Sequence, residues 1–238
     1  MNVSEDLNRA WKDVRNILEP DKSWLTEASK RDCIQKKLFY FNSKHDNSPE
    51  HIDRFIKALS RGQALVQAAI EWQNPAIGQS ETRSVNDKLR GHQWRLVIAY
   101  SGFEIASKAL MMDKWIRQVE KGMYETFIEK CLLPDYEPIE PPKDKPKLTK
   151  WLNKEEGALA SFLGLTSGDQ KAIDRWLVQS KSVDSWFEAY KLAKALRNAS
   201  AHGFLLPTKI REWGLKDGFL RLTDDLAKVA IAGLSKLA

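Results

Sequence analysis

The stretch SWFEAYKLAKALRNASAHG, residues 185–203, contains the start, the buried face and the end of one helix. Ser185 and Glu188 have the spacing of a capping box, in which both side chains accept hydrogen bonds from main-chain N–H groups of the first turn. Gly203 can adopt the left-handed backbone conformation that commonly follows a helix. Between them, apolar residues recur every three or four positions and form one face: Trp186, Tyr190, Ala193 and Leu196. The stretch therefore predicts an amphipathic helix that runs up to His202 and Gly203.

Helical periodicity of the same kind extends through most of the chain. Pro49 after Ser48 predicts a helix start, with the serine as N-cap and the proline in the first helical position. Apolar spacing predicts further helices at about 4–18, 24–41, 86–119, 148–163 and 169–179, and after the capping residues 223–225. Asp217-Gly218 lies among the apolar residues of 210–222 and is typical of a β-hairpin turn. The sequence thus predicts an all-α protein with at most one small β-hairpin near the C-terminus.

A proline-rich stretch interrupts the predicted helices. Five prolines between residues 134 and 146 predict an extended, semi-rigid segment, and the charged residues around them predict contact with water. We expect an insertion at about 133–147 within a helical domain at 85–238. Residues 1–84 are then an N-terminal helical extension packed on that domain. Gly102, inside the longest predicted helix, predicts a close contact with another helix.

The composition limits the classes of function. The chain has 38 Lys and Arg against 32 Asp and Glu, a net charge of +6 and a pI of about 9.2, which mildly favours a polyanionic partner. No apolar run approaches the roughly 20 residues that a membrane-spanning helix needs. Two cysteines without a CxxC spacing, and no signal-peptide pattern, predict free thiols and a cytoplasmic protein. Four scattered histidines, with no HExxH motif and no Cys/His cluster, predict no metal site and no cofactor.

Arg197, Asn198 and His202 are the candidate catalytic residues. Metal-independent cleavage of RNA needs a group that takes the 2′-hydroxyl proton, a group that protonates the leaving 5′-oxygen, and a cation that stabilises the phosphorane. Histidine suits proton transfer because its unperturbed pKa is close to neutrality. Arginine suits the charge because its donors match phosphate oxygens and it stays ionised. Asn198 can hold either side chain in place or bind a phosphate oxygen.

The spacing of these residues constrains how they can meet. On a regular helix Asn198 and His202 are about 40° apart around the axis, whereas Arg197 and His202 are about 140° apart. Arg197 and His202 therefore converge only if the helix breaks near His202, if the arginine reaches around the axis, or if two copies of the chain face each other. By spacing alone the favoured interpretation is structural, since cations suit the negative end of a helix dipole.

Two segments resemble the HEPN superfamily of helical domains. Residues 196–203, LRNASAHG, are similar to the family's signature of an Arg, a polar residue, a few further positions and a His. Residues 103–110, FEIASKAL, resemble an earlier core helix with its acidic residue and Lys-Ala-Leu segment. The resemblance covers roughly residues 88–206 and implies a HEPN-like helical bundle. It also implies a metal-independent endoribonuclease of a defence or toxin–antitoxin system, which works as a homodimer with a composite active site.

Carried over by position, the resemblance implies roles for five residues. Arg197 and His202 match the catalytic pair, and Asn198 matches the polar accessory position. Glu104 and Lys108 match more loosely and would orient the motif through hydrogen bonds. The implied partners are single-stranded RNA, a second copy of the chain, and an antitoxin or another defence-system protein; no membrane is expected.

Other interpretations stay open at this stage. A non-catalytic HEPN module would keep the motif to bind RNA, nucleotide or a partner protein, and a helical adaptor would carry it by coincidence. One branch of the family has a Tyr two residues after the His, where this chain has Phe204, so regulation at such a tyrosine does not carry over. Basic pairs such as Lys36-Lys37 can contact phosphates, although solvated surface is the default explanation. Trp94 falls on an apolar face and is expected in the core.

Overall fold

The computed structural model describes residues 2–18, 22–72, 84–111, 122–142, 148–150 and 159–238. These residues form ten α-helices and no β-strand, so the predicted all-α fold is confirmed. None of the helices described is long and apolar enough to cross a membrane. In chain order, the helices are α1 (Val3–Leu18), α2 (Ala28–Leu38), α3 (Pro49–Ile70), α4 (Val85–Met111), α5 (Met123–Lys130), α6 (Leu159–Phe162), α7 (Ser167–Ile173), α8 (Trp186–Ala201), α9 (Pro207–Glu212) and α10 (Lys216–Ser235).

Two compact units are formed from separate stretches of the chain. The first unit comprises Met1–Ile70, Ser101–Pro134 and Leu226–Ala238, and the second comprises Glu71–Tyr100 and Asp135–Asp225. The long helices α4 and α10 each contribute residues to both units. The units therefore do not coincide with the segments 1–84 and 85–238. The division of the sequence into an extension and a HEPN-like domain stays a prediction.

Several helix boundaries lie where the capping residues place them. α3 begins at Pro49, and the Ser48 hydroxyl accepts a hydrogen bond from the His51 N–H at 3.2 Å, as the N-cap prediction requires. The helix predicted at 24–41 is instead a short 3-10 turn, Ser23–Leu25, followed by α2. The predicted helix 86–119 is observed as α4 up to Met111. Residues 112–119 of that helix, and residues 151–158 of the one predicted at 148–163, lie outside the described residues.

Gly62 and Gly102 let α3 and α4 approach closely in the first unit. A Cβ atom at Gly102 would lie 2.7 Å from the Gly62 carbonyl oxygen and 2.8 Å from the main-chain nitrogen of Val66. A Cβ atom at Gly62 would lie 2.8 Å from the main-chain nitrogen of Ala106. Because main-chain atoms cannot move aside as a flexible side chain can, both positions require glycine. The predicted close helix contact at Gly102 is confirmed.

A pair of histidines anchors the connection between α2 and α3. The buried His45 imidazole shares a hydrogen bond with His51, with 2.9 Å between His45 Nδ1 and His51 Nε2. Its other nitrogen, Nε2, donates to the Leu110 carbonyl oxygen at 2.8 Å. Since Nε2 carries that hydrogen, Nδ1 of a neutral His45 is the acceptor and His51 the donor. The His45 imidazole therefore holds the polar connection to α4 directly and, through His51, also joins α3 to α4.

Both cysteines are free thiols, as the sequence predicts. Cys33 is exposed, whereas Cys131 is buried. Burial raises the pKa of the Cys131 thiol to about 12, so this thiol stays protonated and unreactive at neutral pH.

The prediction of a β-hairpin at 210–222 is wrong. Asp217 and Gly218 lie in the first turn of α10, and the chain turns instead at Gly214, whose φ is +68°. The apolar residues around them are buried at helical spacing: Leu215, Phe219 and Leu222. A Cβ atom at Gly218 would lie 2.5 Å from the Trp176 ring. This glycine therefore serves close packing and not a turn.

The proline-rich stretch is held to the second unit over residues 135–142. Ile139 forms an isolated antiparallel bridge with Val183, with N···O distances of 3.0 and 3.1 Å. The Tyr136 ring packs edge-on against Trp186 at 4.9 Å, and its hydroxyl donates to Asp225 at 2.7 Å. Burial and the Asp225 carboxylate raise the pKa of Tyr136, which keeps it a donor. Ile139 is therefore covered by packing, whereas Asp135, Glu137, Pro138 and Glu140 are exposed. The charged residues 143–145, on which the prediction of a hydrated linker rests, lie outside the described residues.

Replacing Gly102 with Ala is expected to destabilise the protein by about 2 kcal/mol, because the new methyl group meets main-chain atoms. Gly168→Ala is the matched control, since Gly168 also lies in an α-helix but its Cβ position is open. That change should be neutral or stabilising by up to about 1 kcal/mol, because alanine is the better helix former. Urea unfolding of both variants measures the difference. Equal effects would contradict a tight contact between α3 and α4.

Candidate active site

The predicted cap at the start of α8 is present in the structure. The Ser185 hydroxyl accepts a hydrogen bond from the Glu188 N–H at 3.2 Å. The Glu188 carboxylate accepts from the Asp184 N–H at 3.0 Å, one residue before the position that a standard capping box uses, and also pairs with Arg175. The cap therefore fixes where α8 begins, and with it the rotation of every later side chain around the axis.

The buried face of α8 packs within the second unit. Tyr190, Ala193 and Leu196 of the predicted stripe are buried, and Trp186 is partly exposed. The Tyr190 ring stacks on Tyr100 of α4, with 5.9 Å between centroids and 15° between planes. The two hydroxyl oxygens are 3.3 Å apart. This contact places α4 against the part of α8 that precedes residues 197–202.

The end of α8 is a sharp turn immediately after the motif. The helix ends at Ala201, His202 is its C-cap, and Gly203 has a φ of +76°. The Gly203 N–H donates to the Ser200 carbonyl at 3.1 Å, and the Leu205 N–H donates to the Ala199 carbonyl at 3.0 Å. Gly203 thus ends the helix in the left-handed conformation, as predicted.

Gln93 of α4 holds this turn in place. Its buried side-chain amide donates to the Leu205 carbonyl oxygen at 2.5 Å and lies 3.4 Å from the Ser200 hydroxyl. The neighbouring Trp94 is 49% exposed, so its predicted core position is wrong. In the same part of α4, Gln93 is buried together with the apolar residues Leu96 and Ala99.

Arg197 and Asn198 form one hydrogen-bonded network. Arg197 Nη1 donates to Asn198 Oδ1 at 2.8 Å, and its guanidinium carbon lies 5.2 Å from the centroid of the Tyr100 ring. Asn198 Nδ2 donates to Asp169 Oδ2 at 2.8 Å. The amide therefore has one consistent orientation, with its acceptor oxygen toward the arginine and its donor nitrogen toward the aspartate.

Asp169 is the site residue that the sequence does not reveal. It lies in α7, is only 5% exposed, and accepts from Asn198. Its other oxygen, Oδ1, lies 3.1 Å from Lys194 Nζ, and the Thr166 hydroxyl is 3.5 Å from Oδ2. A buried carboxylate is tolerated where donors surround it. The Thr166–Asp169 spacing signals a helix start, but no local pattern signals that Asp169 faces α8.

His202 lies outside this network. It is exposed at the end of α8, and its main-chain N–H donates to the Asn198 carbonyl at 3.1 Å. In the part of the chain that the structure describes, no side-chain hydrogen bond or ion pair joins the imidazole to another residue. The structure thus brings Arg197 and Asn198 together and leaves His202 facing solvent.

Glu104 and Lys108 belong to the first unit, whereas the motif belongs to the second. Both side chains are partly buried on α4, and Glu104 accepts a hydrogen bond from the Tyr124 hydroxyl at 3.2 Å. Their role in orienting the motif stays a prediction.

Comparison of the chain with protein-family models, curated proteins and solved structures finds no match. The likeness to the HEPN superfamily therefore stays a prediction from residues 103–110 and 196–203. Among the described residues, no three His, Cys, Asp or Glu side chains are grouped so as to hold a metal ion.

Asp169→Asn is expected to destabilise the protein by about 2 kcal/mol, since a charged hydrogen-bond acceptor is lost inside the unit. Asp184→Asn is the matched control: Asp184 is exposed and pairs with Arg175 at 3.5 Å, so its loss should cost less than about 0.5 kcal/mol.

A double-mutant cycle of Asp169→Asn with Asn198→Ala tests the network itself. We expect a coupling energy of at least about 0.5 kcal/mol from denaturant unfolding, because the two residues share a hydrogen bond. Additive effects would contradict a linked network.

Proposed function

We propose that the chain is a metal-independent endoribonuclease of the HEPN type that cleaves single-stranded RNA. The observation that carries the proposal is the fixed Arg197 guanidinium, hydrogen-bonded to an Asn198 that is itself anchored to Asp169. A guanidinium held in one orientation is prepared to bind phosphate oxygens without reorganisation. The exposed His202 ends the same helix and remains accessible to a substrate.

In the proposed reaction, His202 takes the proton of the ribose 2′-hydroxyl. The 2′-oxygen attacks the adjacent phosphorus, and the bond to the 5′-oxygen breaks. A protonated imidazole returns a proton to that oxygen, which leaves a 2′,3′-cyclic phosphate and a free 5′-hydroxyl. Arg197 stabilises the negative charge that develops on the phosphorane oxygens.

A composite site in a homodimer suits the arrangement of the motif. Arg197 is directed toward Tyr100 and Asn198, while His202 is exposed beyond the end of the helix. In a dimer, each site would combine the Arg197 of one protomer with the His202 of the other, whose imidazole takes the 2′-hydroxyl proton and then, once protonated, passes it to the 5′-oxygen. A defence or toxin–antitoxin setting, with an antitoxin as partner, rests on the resemblance alone. The proposed cytoplasmic location is consistent with the two free cysteines.

The alternative is a non-catalytic HEPN module that binds RNA, nucleotide or a partner protein. It is favoured by one specific observation: Arg197 is only partly exposed and already engaged, by Asn198 and by the Tyr100 ring. An arginine in such contacts can serve packing, as in the interpretation of the motif as helix-end cations.

Incubation with a labelled single-stranded RNA in EDTA tests the proposal. The wild-type chain should yield 2′,3′-cyclic phosphate ends, and His202→Ala and Arg197→Ala should each lower the cleavage rate by about 10²-fold or more. Lys191→Ala is the control, because Lys191 is an exposed cation of the same helix that contacts Phe187. Cleavage that requires a divalent metal, or that survives His202→Ala, would rule out the mechanism. Tight RNA binding without cleavage, unchanged in His202→Ala, would select the alternative.

Mixing the two inactive variants tests the composite site. If each site takes Arg197 from one protomer and His202 from the other, a mixture of Arg197→Ala and His202→Ala chains regains about a quarter of the wild-type activity. Half of the dimers are then mixed, and each mixed dimer has one intact site. No recovery, although the subunits exchange, would place both residues of a site on one chain.

A further inference from the structure

A second surface, in the first unit, carries exposed apolar side chains. Phe39 and Tyr40, at the end of α2, are 43% and 40% exposed, and Leu132, after α5, is 71% exposed. The Tyr40 hydroxyl donates to the Lys130 carbonyl oxygen at 2.6 Å, which brings the end of α2 beside the end of α5. The buried Phe41 packs edge-on against Tyr40 at 5.1 Å. Phe41 and the hydrogen bond to Lys130 therefore hold the Tyr40 ring in place, while part of the ring stays exposed to solvent.

Leu132 is in a conformation that leucine rarely adopts. Its φ is +50°, in the left-handed region that favours glycine. A left-handed conformation costs a residue with a Cβ atom about 1 kcal/mol. Because the Leu132 side chain is exposed, its burial does not offset that free energy. Leu132 directly follows Cys131, the C-cap of α5, and a left-handed residue commonly ends a helix there, so it is the exposure of its side chain, and not its conformation, that marks this surface.

Lysines surround the same aromatic residues. Lys130 Nζ and Lys236 Nζ lie 5.6 and 5.9 Å from the centroid of the Tyr40 ring. Lys130 also donates to the Tyr40 carbonyl oxygen at 2.9 Å, and Lys37, one turn earlier in α2, donates to the main-chain oxygen of Ala238 at 3.1 Å. Each ammonium group has three N–H donors, so one such bond leaves two.

Among the described residues, none of Lys37, Lys130 and Lys236 forms an ion pair with an Asp or Glu side chain. Other exposed lysines do find one, as Lys57 does with Asp53 at 2.6 Å on α3. The surface therefore combines three ammonium groups with exposed rings.

We infer that this surface, formed by Lys37, Phe39, Tyr40, Lys130, Leu132 and Lys236, binds single-stranded nucleic acid. Phosphates pair with the three ammonium groups, and an unpaired base stacks on the exposed Phe39 ring. A double helix offers phosphates but no accessible base faces, and an anionic peptide offers charge without a succession of planar rings. Among these ligands, only a single strand can both pair with the lysines and stack a base on the exposed ring.

The inference goes beyond the proposed function, because it places a nucleic-acid contact in the unit that lacks the motif. The test uses the full chain and a fluorescent 20-nucleotide 2′-O-methyl uridine strand, which lacks the 2′-hydroxyl that cleavage requires. Because this strand cannot be cleaved by 2′-hydroxyl attack, its binding is measured whether or not the chain is a ribonuclease.

Phe39→Leu keeps an apolar side chain and removes the ring, and should weaken binding about tenfold or more. Phe39→Tyr should retain the affinity. Lys37→Gln combined with Lys236→Gln should weaken binding and lower the slope of log Kd against log salt by about 1.4, that is about 0.7 per phosphate contact. Lys57→Gln, which removes a paired lysine of the same unit, should leave both quantities unchanged.

Unaltered affinity in both Phe39→Leu and the lysine variant, with folding verified by thermal unfolding, would overturn the inference. The same holds if vesicles of phosphatidylserine bind with this residue dependence while the oligonucleotide does not. If Phe39→Leu fails to fold, the salt slope of the lysine variant decides alone, since surface lysines are not needed for packing.

Discussion

The buried carboxylate of Asp169 is the constraint on which the motif region depends. A carboxylate with 5% exposure is stable only if protein donors replace the water it has lost. Asn198, Lys194 and Thr166 surround it, and two of these three lie on α8. The need to satisfy one charge therefore fixes how α7 and α8 face each other. It also fixes the orientation of the Asn198 amide, and through that amide the position of Arg197.

The ends of α8 complete this arrangement. Ser185 sets the start of the helix and Gly203 sets its end, so the side chains between them have one rotation around the axis. Gln93 then holds the segment after the turn by a hydrogen bond to the Leu205 carbonyl. His202 is left at the surface by this geometry, one residue before the left-handed glycine. The same short segment thus holds one cation in place and exposes one imidazole.

In the proposed reaction, Arg197, which is held in place, and His202, which is exposed, have different roles. A cation that stabilises a phosphorane gains from being held still, because no reorganisation is then needed as charge develops. An acid or base must reach the substrate, which an exposed helix end permits. The surface around Phe39 and Tyr40 adds a separate means of contact with nucleic acid, built from charge and stacking rather than from the motif. As proposed, the two surfaces have different ligand requirements: the motif needs a 2′-hydroxyl beside a phosphate, and the surface around Phe39 needs only a flexible polyanion with exposed bases.

Local interactions explain what could be predicted from the sequence. The caps at Ser48 and Ser185, the left-handed Gly203, and the helical class of the fold depend on residues a few positions apart, and these predictions are confirmed. The close helix contact at Gly102 could also be predicted, because a glycine within a long amphipathic helix has few explanations other than such a contact. The candidate residues Arg197, Asn198 and His202 could be named for the same reason, since their chemistry lies in one short stretch.

The tertiary structure decided what depends on distant partners. The turn preference of Asp217-Gly218 is local, and the burial of Leu215, Phe219 and Leu222 on one helical face outweighs it. Asp169 could not be predicted as a partner of Asn198, because 28 residues separate a carboxylate from an amide that only packing brings together. By itself the sequence identified Arg197, Asn198 and His202 as candidate residues and determined that the chain is helical. Whether each side chain is held or exposed was decided only by the fold, because burial and long-range hydrogen bonds are properties of the packed chain.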